Sequence, residues 1–457
     1  MNKVKAKHIS KLKLLSFYVI MIGLTIVVCF ALLEFGLARY YHSTESRIPI
    51  TTFDPTLGWR LRPGSYSVKP SHTFKDHQVS INEYSLRNKP VSPRAASDTK
   101  RIVILGDSFS FAMAVPNENA FPVILENILS GSGHYEVINA GVPGYGTAQE
   151  MLFMKELTGK KVVGDVYVLM ISINDILDNL RLGEYGSTAK APAQPGFELG
   201  EDGTLKRTHD PQKQYSSNFV PRPTSRFYTV EVVNSRLRIL LQTMPRFVNV
   251  LRRFGIQPKV PRMPSLIYGW YVDETSELGV PLMKALIKEI RDEAYRNNAV
   301  LLVGVIPSPF QVYPDVYDHM LRGTYAGNKA VASYLKDPAK PQRIISEICE
   351  ELKIPYLDLL PILIQNNAKE LYIPADGHFS NEGHAIVAQQ LATFVIKHSG
   401  VPRTQTSLEN PSKAMSQDAA ILLPKYISTC AGTHPAGTDR DELKGLKERH
   451  RSIWNLH

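Results

Sequence analysis

From Arg101 onward the chain alternates short apolar runs with amphipathic stretches. RIVIL (101–105), YEVIN (135–139), DVYVLMISIN (165–174), AVLLVGVIP (299–307) and IPYLDLL (354–360) have the near-continuous apolar character of strands covered on both faces. Between these runs the spacing turns helical. Leu282, Leu286, Ile290 and Ala294 recur every four residues, and Phe121, Leu125, Ile128 and Leu129 share one face. Strand–helix alternation with parallel-type strands predicts an α/β fold, a three-layer doubly wound parallel sheet with helices on both sides.

The N-terminus follows a different pattern. Residues 14–33 (LLSFYVIMIGLTIVVCFALL) are 20 consecutive uncharged positions. At ~1.5 Å rise per residue, a helix of that length matches the ~30 Å hydrocarbon core of a bilayer. A cleaved signal peptide fits less well, because the run exceeds the ~7–15 residues of a signal core and no A-x-A site follows. Cys29 follows Val27 and Val28, which also argues against a lipoprotein cleavage site. The run therefore predicts an uncleaved single-pass anchor. Lys3, Lys5, Lys7, Lys11 and Lys13 precede it, and only Arg39 sits beside Glu34 beyond it. This bias predicts a cytoplasmic N-terminus and a domain in the periplasm or on the outer face of an inner (plasma) membrane.

The organisation expected from these patterns is a basic N-terminus (1–13), a transmembrane helix (14–33), a polar lead-in packed on the main domain (34–98) and the α/β domain (99–398). The α/β domain carries an insertion at about 181–280 that holds GSTAKAPAQPGFELGEDG and a short helical patch, Arg236–Phe254. A connection that long points to a cap or a substrate-shaping element. Residues 399–457 are polar and lack a sustained period, so they are expected to form a disordered tail.

Composition narrows the function classes. At 43% hydrophobic and 21% charged residues, the 457-residue chain can bury a sizeable core. Cys29, Cys349 and Cys430 are too few for a disulfide scaffold and lack zinc-ligand spacing; Cys349 and Cys430 form the only candidate pair outside the apolar run. The net charge is +10, and half of the excess lies in the five N-terminal lysines. The remaining basic residues are interspersed, without a stripe or an Arg-rich helix, so nucleic acid is not an expected partner. The one partner these patterns imply is the lipid bilayer, through residues 14–33. The oligomeric state is left open.

In a doubly wound sheet, sites form at the carboxyl ends of strands. Here the first strand ends in Gly106-Asp107-Ser108, the second in Asn139-Ala140-Gly141-Val142-Pro143-Gly144, and the third in Asn174-Asp175. After the last strand comes Asp376-Gly377-His378-Phe379-Ser380. Together these supply a hydroxyl nucleophile, an imidazole base, a carboxylate to orient it, and amide donors for an oxyanion, the parts needed for acyl transfer through a serine ester. Asp376 is placed to accept the Nδ1 proton of His378, leaving Nε2 to face Ser108. The Ser108 N–H, the Gly144 N–H and the Asn174 side-chain amide are the candidate oxyanion donors. Thr147-x-x-Glu150 reads as a capping box that opens the helix after Gly144. Asp107 reads as a turn carboxylate, and His384 as a residue inside the helix that Ser380 caps. Tyr145, Phe109 and Phe111 are candidate acyl-pocket aromatics, with core packing the more ordinary role for such residues.

The chain resembles the SGNH (GDSL) hydrolase family. Gly106-Asp107-Ser108 matches its first block, Gly144 in NAGVPGYG its second, Asn174 in SIND its third, and His378 its last. The resemblance covers about 100–180 and 280–398. It implies an SGNH/flavodoxin-like fold, a catalytic set of Ser108, His378 and Asp376, an oxyanion hole of Ser108, Gly144 and Asn174, and no metal or organic cofactor. INEYSLRN (81–88) also looks like membrane-anchored bacterial members. Two positions depart from the family pattern. Asp376-Gly377-His378 is one residue shorter than the usual Asp-x-x-His and resembles relatives that acetylate exopolysaccharides, and Ile173 stands where glycine usually precedes Asn-Asp. The expected function is a membrane-anchored serine esterase, with an ester or acylated glycan substrate as its partner. The alternatives are an O-acetyltransferase acting on an envelope or extracellular polysaccharide, and a catalytically silent envelope-binding protein.

Overall fold

The computed structural model describes residues 11–45, 50–68, 77–182, 193–212, 227, 229–230, 264–325, 327–373 and 377–398. The helical patch Arg236–Phe254, Cys430 and the tail from 399 onward lie outside the described residues. Helix α1 (Lys11–Glu45) contains the apolar run, and the side chains of residues 14–33 all stand exposed. It is long and apolar enough to cross a membrane. At Glu34, beyond the apolar run, Thr229 of the insertion donates its N–H and its hydroxyl to Oε2 at 2.9 and 2.7 Å.

Two antiparallel hairpins follow α1: β1 (Thr51–Asp54) with β2 (Gly58–Leu61), and β3 (Gly64–Val68) with β4 (His77–Ile81). Leu57, Trp59 and Leu61 are fully buried in the core of the α/β unit. The Trp59 indole donates to Pro143 O at 3.0 Å, and the Tyr145 hydroxyl donates to Trp59 O.

The central sheet contains β5 (Lys100–Gly106), β6 (Tyr135–Gly141), β7 (Val166–Ser172), and, beyond the insertion's hairpin β8 (Gly196–Leu199) and β9 (Leu205–His209), β10 (Val300–Ile306) and β11 (Tyr356–Asp358). Its order is β11-β10-β7-β5-β6, and every pairing is parallel. The helices are α2 (Ser108–Phe111), α3 (Phe121–Ser130), α4 (Thr147–Gly159), α5 (Asp175–Asn179), α6 (Ser265–Tyr271) and α7 (Asp273–Arg296). They continue as α8 (Pro309–Val312), α9 (Pro314–Thr324), α10 (Lys329–Lys336), α11 (Lys340–Glu351), α12 (Leu360–Gln365) and α13 (Asn381–His398).

The pleat sorts the strand residues into two cores. Val103, Leu105, Tyr167, Leu169, Val303 and Val305 face the layer of α4, α7 and α11, while Ile102, Ile104, Val166, Val168, Met170 and Leu302 face α3 and α13. All seven residues of β7 are buried, which explains its unbroken apolar sequence. The four-residue stripe of α7 is buried as its spacing predicts, each large side chain contributing about 1.5–3 kcal/mol. This is the three-layer, doubly wound α/β architecture. IPYLDLL behaves differently from its pattern. Only Tyr356–Asp358 pair, because the Asp358 carboxylate accepts the Leu360 N–H at 2.8 Å and Leu360, followed by Pro361, opens α12.

Candidate active site

Counting only the strands of the central sheet, the order is 2-1-3-4-5, and the connection reverses direction between β5 and β7. Ligands bind at that switch point, outside the carboxyl ends of the strands. Ser108 follows β5, Gly144 follows β6 and Asn174 follows β7, so all three candidate positions lie around it.

Asp107 is the N-cap of α2, and its Oδ1 accepts the Phe109 N–H at 2.9 Å, which leaves Ser108 as the first helical residue, half-buried at the rim. The following residues enter the core, with Ser110 and Phe111 fully buried. β6 runs tightly alongside this turn. A Cβ on Gly141 would lie 2.3 Å from Phe111 N and 2.6 Å from Ser110 C, so only glycine fits. Gly144, at φ +79, has the left-handed geometry that lets its loop turn back at the rim.

The structure brings Ser108 and His378 together: His378 Nε2 is 2.7 Å from Ser108 Oγ. The imidazole sits 5.0 Å from the Phe109 ring, and Phe109 meets the Phe379 ring at 4.9 Å. His378 lies on the loop before α13, its carbonyl accepting the Ile373 N–H at 2.8 Å. Asp376 lies outside the described residues. Ser380 caps α13, its hydroxyl accepting the Gly383 N–H at 3.2 Å. His384 is therefore inside the helix and buried. Its Nδ1 accepts the Phe121 N–H at 3.4 Å, and burial, with smaller contributions from Arg87 and His378, pushes its pKa down to about 3. It is a neutral core residue.

One expectation is corrected. The capping box at Thr147-x-x-Glu150 does not form: Gly146 is the N-cap, without a side-chain cap bond, and the Thr147 hydroxyl donates to Asp175 Oδ2 at 3.3 Å. Tertiary contacts have drawn both box residues into the interior, where Glu150 is 1% exposed. Tyr145 and Phe111 are fully buried, in the packing role that is the more ordinary one for such residues, while Phe109 stands half-buried beside His378.

Behind the rim lies a buried group of carboxyls that sequence reasoning missed. Burial holds Glu150 well above its ordinary 4.5, with Asp107 and Asp178 adding to the shift; burial also raises Asp175, with Glu150, Asp107 and Asp178 contributing. Asp107 is raised by burial too, opposed by the Phe109 N–H and by nearby His378. For Glu150 the folded state keeps a proton that the unfolded chain releases above about pH 4.5, so its contribution to stability falls as pH rises from there. Glu150→Gln is therefore expected to gain on the wild type between pH 5 and pH 8, by up to ~1.4 kcal/mol per pH unit. Urea unfolding at the two pH values measures this; a pH-independent difference would contradict it.

Arg87, from the INEYSLRN segment, is the other residue missed. Its buried guanidinium donates to Phe111 O, Ala112 O and Val115 O at 2.8, 2.6 and 2.8 Å, and its Nε to Asn117 Oδ1 at 2.8 Å. It closes the C-terminus of α2, where Ala112 turns left-handed at φ 62. Burial pulls its pKa down to about 9. The Ile173 departure also has a structural basis. Its side chain is buried, and its carbonyl accepts the Trp270 indole N–H at 2.8 Å.

Among the described residues, no group of three or more His, Cys, Asp or Glu side chains is arranged to hold a metal ion. A comparison with curated proteins finds no match. Among solved structures, an acetyl xylan esterase is 15% identical, with 65% of this chain and 100% of that chain covered and a TM-score of 0.32. The lipase/acylhydrolase from Enterococcus faecalis is 12% identical, with 65% and 95% covered and a TM-score of 0.31. A member of the lipolytic protein G-D-S-L family from Veillonella parvula DSM 2008 is 12% identical, with 66% and 99% covered and a TM-score of 0.32. The sequence profile of the GDSL-like Lipase/Acylhydrolase family matches residues 104–386, more than half of the chain and every block from the nucleophile turn to α13. The chain belongs to the GDSL-like lipase/acylhydrolase family, whose members are hydrolases acting on ester bonds.

Proposed function

We propose that this chain is a membrane-anchored serine esterase whose α/β domain works outside the cytoplasm. The observation that carries this reading is the 2.7 Å approach of His378 Nε2 to Ser108 Oγ, a distance at which a proton can be shared. Ser108 Oγ attacks the ester carbonyl carbon as His378 Nε2 takes its proton. The tetrahedral oxyanion is held by the Ser108 and Gly144 N–H groups and the Asn174 amide. The C–O bond to the alcohol then breaks, and the imidazolium returns the proton to the leaving oxygen. Water, deprotonated by the same imidazole, attacks the acyl carbon; the bond from that carbon to Ser108 Oγ breaks, the imidazolium returns the proton to Oγ, and the acid leaves. Asp376 is the carboxylate we assign to His378 Nδ1, where it would fix the tautomer and stabilise the imidazolium.

Two features support anchoring: the exposed apolar side chains of α1, and the lysines on its N-terminal side. A second reading is favoured by the Asp376-Gly377-His378 spacing, in which a sugar hydroxyl replaces water in the second half-reaction and the acyl group passes to an envelope glycan. The full chain in detergent, given a soluble acetyl ester with and without a polysaccharide acceptor, separates the two. The esterase reading expects free acetate at a rate the acceptor leaves unchanged. Acetyl transfer to the glycan exceeding hydrolysis would overturn it.

A further inference from the structure

We infer that Asp178 is a positioning residue for the oxyanion donor Asn174, and that the insertion, through Gln194, holds Asp178 in place. The observation is a chain of three buried or half-buried side chains. Asn174 Nδ2 donates to Asp178 Oδ2 at 3.0 Å, and Gln194 Nε2 donates to Asp178 Oδ1 at 3.0 Å. Asp178 is 3% exposed and Gln194 1% exposed, while Asn174 stands half-buried at the end of β7.

The reason lies in the symmetry of an amide. The two ends of the asparagine side chain have nearly the same shape and opposite polarity. With nitrogen toward the site, the group stabilises a developing oxyanion; with oxygen toward the site, it repels one. A carboxylate accepts and does not donate, so Asp178 Oδ2 selects the orientation that brings Nδ2 to it. That nitrogen carries two hydrogens. One is spent on Asp178, and the second stays available for the oxyanion. Helix α5 sets the reach: Asn174 and Asp178 are four residues apart, so their side chains meet on one face. The Asp178 N–H also donates to Asn174 O at 3.1 Å, fixing the backbone between them.

The surroundings leave Asp178 little freedom. A Cβ on Gly146 would come within 2.8 Å of Asp178 Cβ, and Asn179 Oδ1 accepts the Ala148 N–H at 3.0 Å. The loop that carries Gly144 and the helix that Asn174 caps are thus pinned together directly beneath the rim. Gln194 comes from the segment leading into β8, so the insertion reaches into the oxyanion loop as well as lying beside it.

This inference rests on the serine esterase reading, and its test separates the two. The full-length protein in detergent is followed by two readouts: the rate of fluorophosphonate labelling at Ser108, and kcat and KM on a soluble acetyl ester. Asn174→Ala is expected to lower kcat about 100- to 1,000-fold, as for the loss of one oxyanion donor. Asp178→Asn can present either amide end to Asn174 and is expected to lower kcat about 10- to 100-fold with little change in KM. In the Asn174→Ala background, Asp178→Asn should cost less than about twofold more, because the residue it acts through has gone. Gln194→Leu is expected to repeat the pattern more weakly, and it keeps the inference testable should Asp178→Asn fail to fold. Equal losses with and without Asn174, or a rise in KM at unchanged kcat, would overturn the inference and leave the esterase reading intact. A wild type that does not label at Ser108 would overturn both.

Discussion

His378→Gln is expected to lower kcat on a soluble acetyl ester by about 10⁴-fold or more, with KM close to that of the wild type. Glutamine retains polarity and approximate size, so the variant should fold, and α13 is capped by Ser380 whatever occupies 378. What it loses is the ability to take the Ser108 proton as the carbonyl is attacked and to return it to the leaving alcohol. A serine hydroxyl without such a base is a poor nucleophile. The loss should also be non-additive. Ser108→Ala and the double variant should show the same residual rate, because the two side chains act in one step. A His378→Gln enzyme with more than about a tenth of wild-type kcat would mean that another group carries the proton. His384 is a poor substitute: it is buried, its Nδ1 is committed to Phe121 N, and its pKa sits at about 3.

Arg87→Ala is expected to be the most destabilising single change in the lead-in, by about 3–5 kcal/mol. It takes a shared donor from the carbonyls of Phe111, Ala112 and Val115, of which Ala112 O keeps the Val115 N–H at 3.3 Å, and it opens a cavity beside the Phe111 ring, 5.1 Å from the guanidinium carbon. Each buried carbonyl left unpaired costs about 1–3 kcal/mol. The same change releases the end of the turn that presents Ser108, so activity should fall even at temperatures where the variant stays folded. Thermal unfolding and kcat measured on the same preparation check both parts. Arg87→Lys is the informative companion. It keeps the charge but cannot span three carbonyls and Asn117, so it should recover little. Full recovery by lysine would mean that charge, and not the fork of donors, holds the turn.

Much of the fold was legible because the strands of the central sheet are buried on both faces. A run such as Val166–Ser172, with every residue covered, has to be continuously apolar, and helix α7 has to carry a stripe at four-residue spacing. Ser108, Gly144 and Asn174 were legible as candidates because a parallel sheet brings the carboxyl ends of its strands to one edge, whatever the sequence distance between them, and His378 was legible from its place on the loop before α13. Residues that support the site from behind were not legible. Nothing in the spacing around Arg87 says that its guanidinium turns inward, and its partners are main-chain carbonyls, which leave no sequence signature. Thr147 and Glu150 carried a local helix-start pattern that the interior overrode, the hydroxyl turning to Asp175 and the carboxyl into the interior, where burial raises its pKa. Ile173 looked like a departure from a glycine and is a core contact secured by Trp270. At Thr147 and Glu150 tertiary contacts thus outweighed a local preference worth about 1 kcal/mol.

The central claim is that Ser108 is the nucleophile, activated by His378. It is tested most directly by treating the full-length protein with a fluorophosphonate and locating the adduct by peptide mass spectrometry. The account predicts one modified residue, Ser108, with labelling abolished in Ser108→Ala and strongly slowed in His378→Gln. Labelling of Ser108→Ala at the wild-type rate, or an adduct on any other side chain, would contradict it.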